Sequence, residues 1–354
     1  MKPQRVLIVL GTEGAWSRGV LRGFIAAARE RDWALCHHHP ADKLDYLVNE
    51  QPPVAVAVIG PELRPDAIAR LAPAALISVT VDRTAQGIAS VCLDEENIAK
   101  LALEHLLAAG LRHVTTFRYD ESPFAVARER AFIERARAAR VQIAPGWGGE
   151  DFSPAQREES AVEMTAWLRG LPKACGIFTC TDGWARPVAR FAREAGLRVP
   201  EDLALIGADN DELECELISP PLSSVVIPWE DVGRSAAKLV RAALANERIA
   251  GRRAVVSPIA VAARRSSDVL SIQDPFVASA VIWIRDHGDG ELTVARVARA
   301  VGLSRQALDR RFRQALGRTI QEEVQRANAD ADGRAPGVTL ARLGDVAKIG
   351  DLLH

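Results

Sequence analysis

The chain has 354 residues, 48% of them hydrophobic, which is enough to bury two or three cores rather than one. A formal net charge of −1 excludes both a wholly basic nucleic-acid coat and a wholly acidic disordered chain. The five cysteines are odd in number and form no Cys-X-X-Cys pair, which argues against a disulfide framework. The apolar run at residues 6–10 is too short for a signal peptide or a membrane span, so we expect a cytoplasmic protein.

Short apolar runs alternate with longer amphipathic segments over the first 265 residues. Strands buried on both faces are predicted for residues 6–10, 54–59, 75–81, 114–117, 176–180 and 203–207. The segments between them have helical periodicity, and two of them end at Gly110 and Gly196. This alternation predicts an α/β fold with parallel sheets, and its length exceeds one doubly wound sheet, so we expect two lobes.

Polar side chains follow several of the predicted strands at their carboxyl ends, where open α/β sheets bind ligands. Carboxylates there can accept protons from hydroxyl groups, arginines can donate to sugar oxygens, and indoles can cover apolar sugar faces. Each aspartate taken singly is better explained as a helix cap or a loop acid, but together these residues favour a pocket for a neutral polyhydroxylated ligand. The candidate ligand residues are Trp16, Arg18, Asp94, Arg128, Asp182, Trp184 and Asp209.

A change of pattern follows the α/β region. Residues 266–275 are polar and are interpreted as a linker, and from residue 276 onward the pattern is helical only. A helix, a tight turn with Gly302, a helix capped by Ser304 and a stop at Gly317 form the outline of a helix-turn-helix. Residues 293–318 contain seven arginines and one acid, whereas the rest of the chain is net acidic. This asymmetry favours DNA as the partner of the C-terminal helices.

The helix that begins after Ser304 has one polar stripe suited to a major groove. Gln306, Asp309 and Arg310 lie along it, and these side-chain types can pair with base edges. The alternative is a solvated charged face on a small helical bundle, but the turn, the cap and the arginine cluster favour DNA binding. Arg305, Arg311 and Arg313 are expected to reach phosphates. The candidate DNA-binding residues are Ser304, Arg305, Gln306, Asp309, Arg310, Arg311 and Arg313.

The sequence contains no signature of catalysis, of a cofactor or of a metal site. The glycines after the first strand lack nucleotide-binding spacing, and neither a nucleophile elbow nor a zinc motif occurs. The adjacent His37, His38 and His39 are better explained as a surface loop than as metal ligands, since neighbouring side chains point in different directions. We therefore predict a protein that is not an enzyme and that has no cofactor and no metal.

Two stretches of the α/β region resemble the effector domain of the lactose/galactose-repressor family. Residues 199–210 (VPEDLALIGADN) with 222–225 (LSSV) are closely similar to it, and residues 105–114 (HLLAAGLRHV) resemble a second family motif. The likeness spans about residues 4–265 and implies a type I periplasmic-binding-protein-like fold. The implied lobes are about 1–117 with 227–250, and 118–226 with 251–265. The resemblance also implies which residues contact the sugar. They are Asp94, Arg128, Asp182 and Asp209, with Trp16 and Arg18 from the other lobe.

The C-terminal helices resemble the first helix-turn-helix unit of the AraC/XylS family. The matching residues are Val301, Gly302, Leu303, Ser304, Leu308, Arg311, Phe312, Leu316 and Gly317. Residues 276–328 are expected to form this unit, and residues 329–354 resemble a degenerate or truncated remnant of the second unit. The lactose/galactose-repressor family has its DNA-binding helices before the sensor, whereas here we expect the first strand to begin at Arg5.

Together the resemblances imply a sugar-responsive transcription regulator. We expect a homodimer that binds double-stranded DNA and takes D-xylose or a related pentose as effector, without a membrane partner. One alternative is a sugar-binding receptor that binds DNA poorly because the second unit is incomplete. Another is a periplasmic sugar-binding protein, which would need a signal peptide and would lack the basic helices. An enzyme of carbohydrates or nucleotides would need a catalytic constellation that the sequence does not contain.

Overall fold

The structure is a computed structural model that describes residues 4–29, 33–39, 55–59, 75–79, 89–148, 157–269, 274–287, 292–331 and 339–341. Within these residues, strands and helices alternate up to the end of the sensor and helices dominate after it. The strands are β1 (Gln4–Val9), β2 (Trp33–His38), β3 (Ala55–Ile59), β4 (Ala75–Val79), β5 (Ala89–Leu93), β6 (His113–Phe117), β7 (Gln142–Ile143), β8 (Cys175–Thr179), β9 (Leu203–Asp209), β10 (Ser223–Val226), β11 (Arg253–Val256), β12 (Ala260–Ala263) and β13 (Thr339–Ala341). The helices are α1 (Ala15–Ala28), α2 (Glu95–Ala108), α3 (Pro123–Ala138), α4 (Arg157–Gly170), α5 (Asp182–Glu194), α6 (Glu212–Glu216), α7 (Trp229–Leu244), α8 (Pro275–Asp286), α9 (Val294–Ala300), α10 (Arg305–Leu316) and α11 (Ile320–Ala331).

Two separate sheets form the sensor, as the length of the alternating region predicts. The first sheet has the order β11-β5-β4-β3-β1-β2, and all its strand pairs are parallel. The second has the order β13-β12-β10-β9-β8-β6-β7, and its pairs are parallel except that β12 is antiparallel to both of its neighbours, β10 and β13. Each of the six predicted apolar runs forms a strand, three in each sheet. The predicted two-lobed α/β fold is therefore confirmed.

Along the described strands, the chain changes from one sheet to the other three times, after β5, after β10 and after β11. The predicted lobe boundaries differ from these positions. Strand β6 belongs to the second sheet and not to the lobe of residues 1–117, so the first passage lies at Asp94 between β5 and α2. Strand β11 pairs with β5 in the first sheet, although residues 251–265 were assigned to the other lobe. Both lobes repeat the same strand–helix alternation, so periodicity cannot tell which sheet a strand joins.

The predicted linker begins later than residue 266. Ser266 and Ser267 belong to a 3-10 turn, Arg265–Ser267, and both are at most 2% exposed. The Ser266 hydroxyl donates to the carbonyl oxygen of Leu205 at 2.7 Å and accepts from the amide of Ser223 at 2.8 Å. The turn is therefore part of the second lobe, because its hydroxyls satisfy backbone groups of β9 and β10.

Helices α1 and α7 approach so closely that only glycine fits at their crossing. A Cβ atom added to Gly23 would lie 1.9 Å from the carbonyl oxygen of Glu230, and one added to Gly233 would lie 1.9 Å from that of Val20. Since α7 also packs against β3, β4 and β5, this crossing holds α1 onto the first lobe.

Replacing Gly23 with alanine is expected to lower the free energy of unfolding by about 2 kcal/mol, because the methyl group meets backbone that cannot rotate away. Urea unfolding followed by circular dichroism would measure the loss. Gly170→Ala is the matched control, since a Cβ atom there has nothing within 4 Å. Equal midpoints for the two variants would contradict the packing argument.

Helices α8 to α11 form a separate bundle around a core that includes Val277, Leu308 and Phe312. The side chains of Asp274, Thr293 and Ser304 accept amide protons at the starts of α8, α9 and α10. Gly317 ends α10 in the left-handed conformation with φ 65°. The helix-turn-helix outline is thus confirmed for this part of the chain.

Helix α11 continues to Ala331, three residues past the predicted end of the unit at residue 328. Of the predicted remnant at 329–354, residues 339–341 form β13 beside β12, and residues 332–338 and 342–354 lie outside the described residues. Among the helices that the structure describes, none combines the length and the apolar character that a membrane crossing requires.

Candidate functional site

A buried carboxylate lies at the end of β8, where the sequence predicts a ligand residue. Asp182 is the first residue of α5 and is 1% exposed. Its Oδ1 accepts from the hydroxyl of Ser224 at 2.6 Å, and its Oδ2 accepts from the amide of Asp211 at 2.8 Å. A Cβ atom on Gly207 would lie 2.2 Å from Oδ1, so the carboxylate fits only beside glycine. Residues of β9, of β10 and of the loop after β9 therefore hold this one acid in place after the end of β8.

Arg128 is the buried cation of the same site and is 1% exposed. Its Nε donates to Glu95 Oε2 at 2.5 Å, and its Nη1 donates to the carbonyl oxygen of Cys180 at 2.6 Å. The same Nη1 lies 3.7 Å from Asp209 Oδ1, and the guanidinium lies 5.1 Å from the ring centre of Phe124. The guanidinium thus links α2, α3 and β9, which are far apart in the sequence.

Three acids, Glu95, Asp182 and Asp209, form a cluster with the guanidinium of Arg128, and the pKa values of two of them are raised. Burial raises the pKa of Asp182 well above its usual range, and the charge of Asp209 raises it further. Burial also raises the pKa of Asp209, to about 7, although the charge of Arg128 opposes the shift. Burial works against the charged form of Arg128, but Glu95 and Asp209 outweigh it and the pKa of the guanidinium is raised. Perturbed acids around one buried cation are typical of a functional site.

Backbone strain coincides with this cluster. Asp209 has φ 116° and Asn210 has φ 54°, a conformation that residues with side chains rarely adopt. The backbone amide of Asn210 donates to the hydroxyl oxygen of Ser224 at 3.0 Å, and Asn210 Oδ1 accepts from the guanidinium of Arg264 at 2.8 Å. Strained residues that their neighbours hold in place are concentrated at binding sites, which supports a ligand role for the end of β9.

Two other candidate ligand residues have local structural roles. Asp94 caps α2 by accepting the amide proton of Asn97 at 3.0 Å, and it accepts from the Ser257 hydroxyl at 3.1 Å. Arg18 is exposed and donates to the carbonyl oxygens of Thr12 and Glu13 at 2.9 and 2.7 Å. The contacts of Asp94 and Arg18 therefore stabilise the lobe junction and the loop before α1, and none of them reaches the Arg128 cluster.

The two candidate indoles lie in different surroundings. Trp184 stacks on Phe124 with a centroid distance of 5.9 Å, and Phe124 in turn lies under the guanidinium of Arg128. Trp16, half-buried in the first lobe, packs against Trp229 at 5.9 Å. The structure therefore connects Arg128, Asp182, Asp209 and Trp184 through a few side chains, whereas the aromatic contact of Trp16 is with Trp229.

One hydrogen bond joins the two lobes beside the site. Asp211 Oδ2, from the second lobe, accepts from the amide of Ala15 at the start of α1 at 3.4 Å. Gly14 precedes this helix and has no side chain to cap it, so the acid of the other lobe takes that position. The loop after β1 and the loop after β9 thus lie side by side.

Sequence reasoning missed Glu95, Gly207, Asp211 and Ser224, although Glu95 directly follows the candidate Asp94 and Asp211 comes two residues after the candidate Asp209.

The adjacent histidines do not form the predicted surface loop, because His37 and His38 belong to β2. His37 Nε2 lies 2.8 Å from the carbonyl oxygen of Leu10, and His39 Nε2 lies 2.8 Å from Glu13 Oε1. In the described part of the chain, no group of three potential metal-ligating side chains is found.

In the helix-turn-helix, four candidate residues of α10 face solvent. Arg305, Gln306, Arg310 and Arg313 are exposed, and Ser304 caps the helix by accepting the amide proton of Ala307 at 3.2 Å. Gln314 is exposed on the same helix one turn after Arg310, and sequence reasoning did not select it. This surface is polar, carries three cations and stands on a rigid helix, as a major-groove reader requires.

Asp309 and Arg311 are the two candidates that the structure assigns to internal contacts. Asp309 accepts from Arg313 Nε at 3.0 Å and from the amide of Ile320, the first residue of α11, at 3.3 Å. Arg311 donates to Asp274 Oδ2 at 2.5 Å and lies 5.0 Å from the ring centre of Phe276. The side-chain pattern of a single helix could indicate the pair of Asp309 with Arg313, but not the contacts with Ile320 and Asp274, which lie outside α10.

Two protein families match this chain. Residues 103–267 match the periplasmic binding protein-like domain, and residues 284–325 match the AraC family of bacterial regulatory helix-turn-helix proteins. The chain is 32% identical over 237 residues to the xylose operon regulatory protein of Escherichia coli (strain K12), covering 66% of this chain and 60% of that protein. It is 29% identical over 237 residues to the protein of that name from Haemophilus influenzae, covering 66% and 61%. The chain therefore spans about 60% of the length of these curated relatives.

The fold is also similar to a solved structure of the xylose-binding transcription activator XylR. The TM-score is 0.73 at 25% sequence identity, and the match covers 92% of this chain and 85% of that one. The similarity thus includes both the sensor and the helical bundle. Residues 103–267 are thus similar to the periplasmic binding protein-like domain, and residues 284–325 are similar to the helix-turn-helix of the AraC family of bacterial regulatory proteins.

Proposed function

We propose that this protein is a sugar-responsive, DNA-binding transcription regulator whose effector is a neutral monosaccharide, D-xylose or a related pentose. The observation that carries the proposal is the cluster of the buried Asp182 and Arg128 with the partly buried Asp209, which lies in an α/β region that a helix-turn-helix follows. The relatives named above, which regulate a xylose operon or bind xylose, support the choice of sugar.

The chemistry of the cluster favours a neutral polyhydroxylated ligand over an anionic one. The raised pKa values of Asp182 and Asp209 show that their negative charges are poorly stabilised in this site. Hydrogen bonds donated by the hydroxyl groups of a sugar would stabilise these charges. A sugar phosphate would add negative charge beside Asp182 and Asp209, and the buried guanidinium of Arg128 already serves Glu95 and Asp209. Trp184, stacked on Phe124, offers an indole for the apolar face of a sugar ring.

The helical domain is the proposed contact with double-stranded DNA. In this proposal Gln306 and Arg310 read base edges and Arg305 and Arg313 neutralise phosphates, and the exposure of all four side chains supports these roles. The proposal includes a homodimer, because binding to paired half-sites would multiply the DNA affinity of one recognition helix. It also includes a cytoplasmic location and no catalytic activity.

A pentose is expected to raise the melting temperature of the protein. At a ligand concentration about 100 times Kd, binding to the folded state adds about 2.7 kcal/mol of stability. Scanning fluorimetry with a panel of pentoses, hexoses and one pentose phosphate would measure it, with the neutral pentose giving the largest shift and the phosphate none.

Asp182→Ala and Asp209→Ala are each expected to remove most of that shift, because each deletes a carboxylate that would accept from a sugar hydroxyl, at a buried position for Asp182 and a partly buried one for Asp209. Asp231→Ala, an exposed acid paired with Arg234, is the control and should keep the full response. The effector assignment fails if no monosaccharide moves the melting curve at millimolar concentration.

A further inference from the structure

The ion pair between Arg311 and Asp274 lies between the recognition helix and the point where the chain enters the helical domain. Arg311 is on α10, and its Nη1 donates to Asp274 Oδ2 at 2.5 Å. The two side chains are 35% and 20% exposed, and the guanidinium also covers the ring of Phe276. By contrast, Arg310 and Arg313 on the same helix are exposed. Arg311 thus pairs with an acid outside α10, whereas Arg313 pairs with Asp309 of the same helix.

Asp274 is a fixed acceptor for this pair. Its Oδ1 accepts the amide protons of Phe276 and Val277 at 3.0 and 3.3 Å, so the residue caps α8 with one oxygen and binds Arg311 with the other. Because both oxygens have donors, the start of α8 and the middle of α10 are held at one distance and one angle.

The sensor ends in a second fixed point a few residues earlier. The Ser267 hydroxyl donates to Ser223 Oγ at 2.6 Å and lies 2.6 Å from His105 Nε2. His105 is on α2, the helix that also carries Glu95, the partner of Arg128 in the candidate ligand site. Residues 268–273 separate the two fixed points, and covalent geometry limits their reach to about 25 Å. One helix therefore connects the ligand site to the place where the chain leaves the sensor.

We propose that Arg311 is a positioning residue that ties the recognition helix to the end of the linker, so that a change in the sensor alters how α10 is presented to DNA. This inference rests on the proposed function. Through the ion pair, the orientation of the chain at Asp274 fixes the orientation of α10. Without the pair, α10 stays in the helical bundle but is no longer aligned with the sensor. The competing role for Arg311 is a phosphate contact, like that proposed for Arg313.

The two roles differ in their salt dependence. A residue that neutralises a phosphate contributes about 0.9 to the slope of log affinity against log salt concentration, whereas a positioning residue contributes nothing to that slope. Fluorescence anisotropy with a duplex selected from a random pool by the wild-type protein would give the affinity over a range of salt, with and without D-xylose. The variants are Arg311→Gln, Asp274→Asn, their double variant, and Arg313→Gln as a control exposed on the same helix. Asparagine at 274 keeps the helix cap while it removes the ion pair.

Arg313→Gln is expected to lower the salt slope by about 0.9 and to keep the response to xylose. Arg311→Gln and Asp274→Asn should leave the slope unchanged but reduce a xylose effect of about tenfold on affinity to about twofold or less. The double variant should lose no more than either single one, because both remove the same contact.

The inference is overturned if Arg311→Gln lowers the slope as Arg313→Gln does, or if it keeps the full xylose effect. It is also overturned if the two single losses add in the double variant. A wild-type protein that selects no duplex, or whose affinity ignores every sugar, would instead refute the proposed function itself.

Discussion

Replacement of Arg128 by methionine is expected to destabilise the sensor by about 3–5 kcal/mol at pH 8 and to abolish the response to sugar. The change leaves Glu95 and Asp209 without the guanidinium that compensates them, beside a third acid, Asp182, that is fully buried. It also leaves the carbonyl oxygen of Cys180 without its donor. Urea unfolding of the apo protein would measure the loss of stability, and fluorimetry with sugar would measure the loss of binding.

The cost of this change should depend on pH. At pH 5 the orphaned acids can take up protons, so the destabilisation by Arg128→Met is expected to be smaller than at pH 8. Arg234→Met is the control, because Arg234 makes exposed pairs with Glu230 and Asp231 and should cost less than about 1 kcal/mol. An Arg128 variant as stable as the Arg234 variant would mean that the buried charges do not depend on the guanidinium.

Asp209→Asn is expected to stabilise the apo protein by about 3 kcal/mol at pH 8 while it abolishes sugar binding. The pKa of Asp209 is raised from the ordinary value of 3.8 to about 7 in the folded state. Between these two values the folded protein holds a proton that the unfolded chain has released, so this group makes stability fall as the pH rises from about 4 to 7. Asparagine does not titrate, and it also removes the negative charge that raises the pKa of Asp182.

The sign of this effect can be separated from that of other groups by comparing two stability curves over pH. His105 works in the opposite direction, since burial lowers its pKa to about 4 and stability from that group rises between about pH 4 and 6.5. His105 is present in both proteins, so the difference between wild type and Asp209→Asn isolates the acid. Asp231→Asn, at an exposed position, should show no such difference. If Asp209→Asn is less stable than wild type at pH 8, the charged form of Asp209 does not destabilise the folded protein and the argument is wrong.

The exposed face of α10 shows how far one helix can be predicted from its own residues. Its start at Ser304, its end at Gly317 and the buried positions Leu308 and Phe312 agree with the structure. The partners of Asp309 and Arg311 do not follow from that pattern, because Ile320 and Asp274 come from other helices. Of the arginines expected on DNA, Arg311 is the one that pairs with the acid at the start of α8.

The candidate ligand site divides in the same way. The sequence selected Asp182, Asp209 and Arg128, because acids and a cation at strand ends suggest a pocket. It could not select Gly207, whose role is the space that it leaves for Asp182. Nor could it distinguish Asp94, which caps a helix, from the acids that are buried around the guanidinium.

Sequence patterns correctly predicted six of the described strands, the helix ends at Gly110, Gly196 and Gly317, and the division into an α/β region and a basic helical domain. Those features depend on periodicity, caps and φ preferences within a turn or two of the chain. Only the tertiary structure decided that β6 joins the second sheet and β11 the first. It also decided which charges meet, since Arg128 and Glu95 are 33 residues apart and Arg311 and Asp274 are 37. Hydrogen bonds and ion pairs act over a few ångströms in space, and local patterning carries no information about which distant residues come that close.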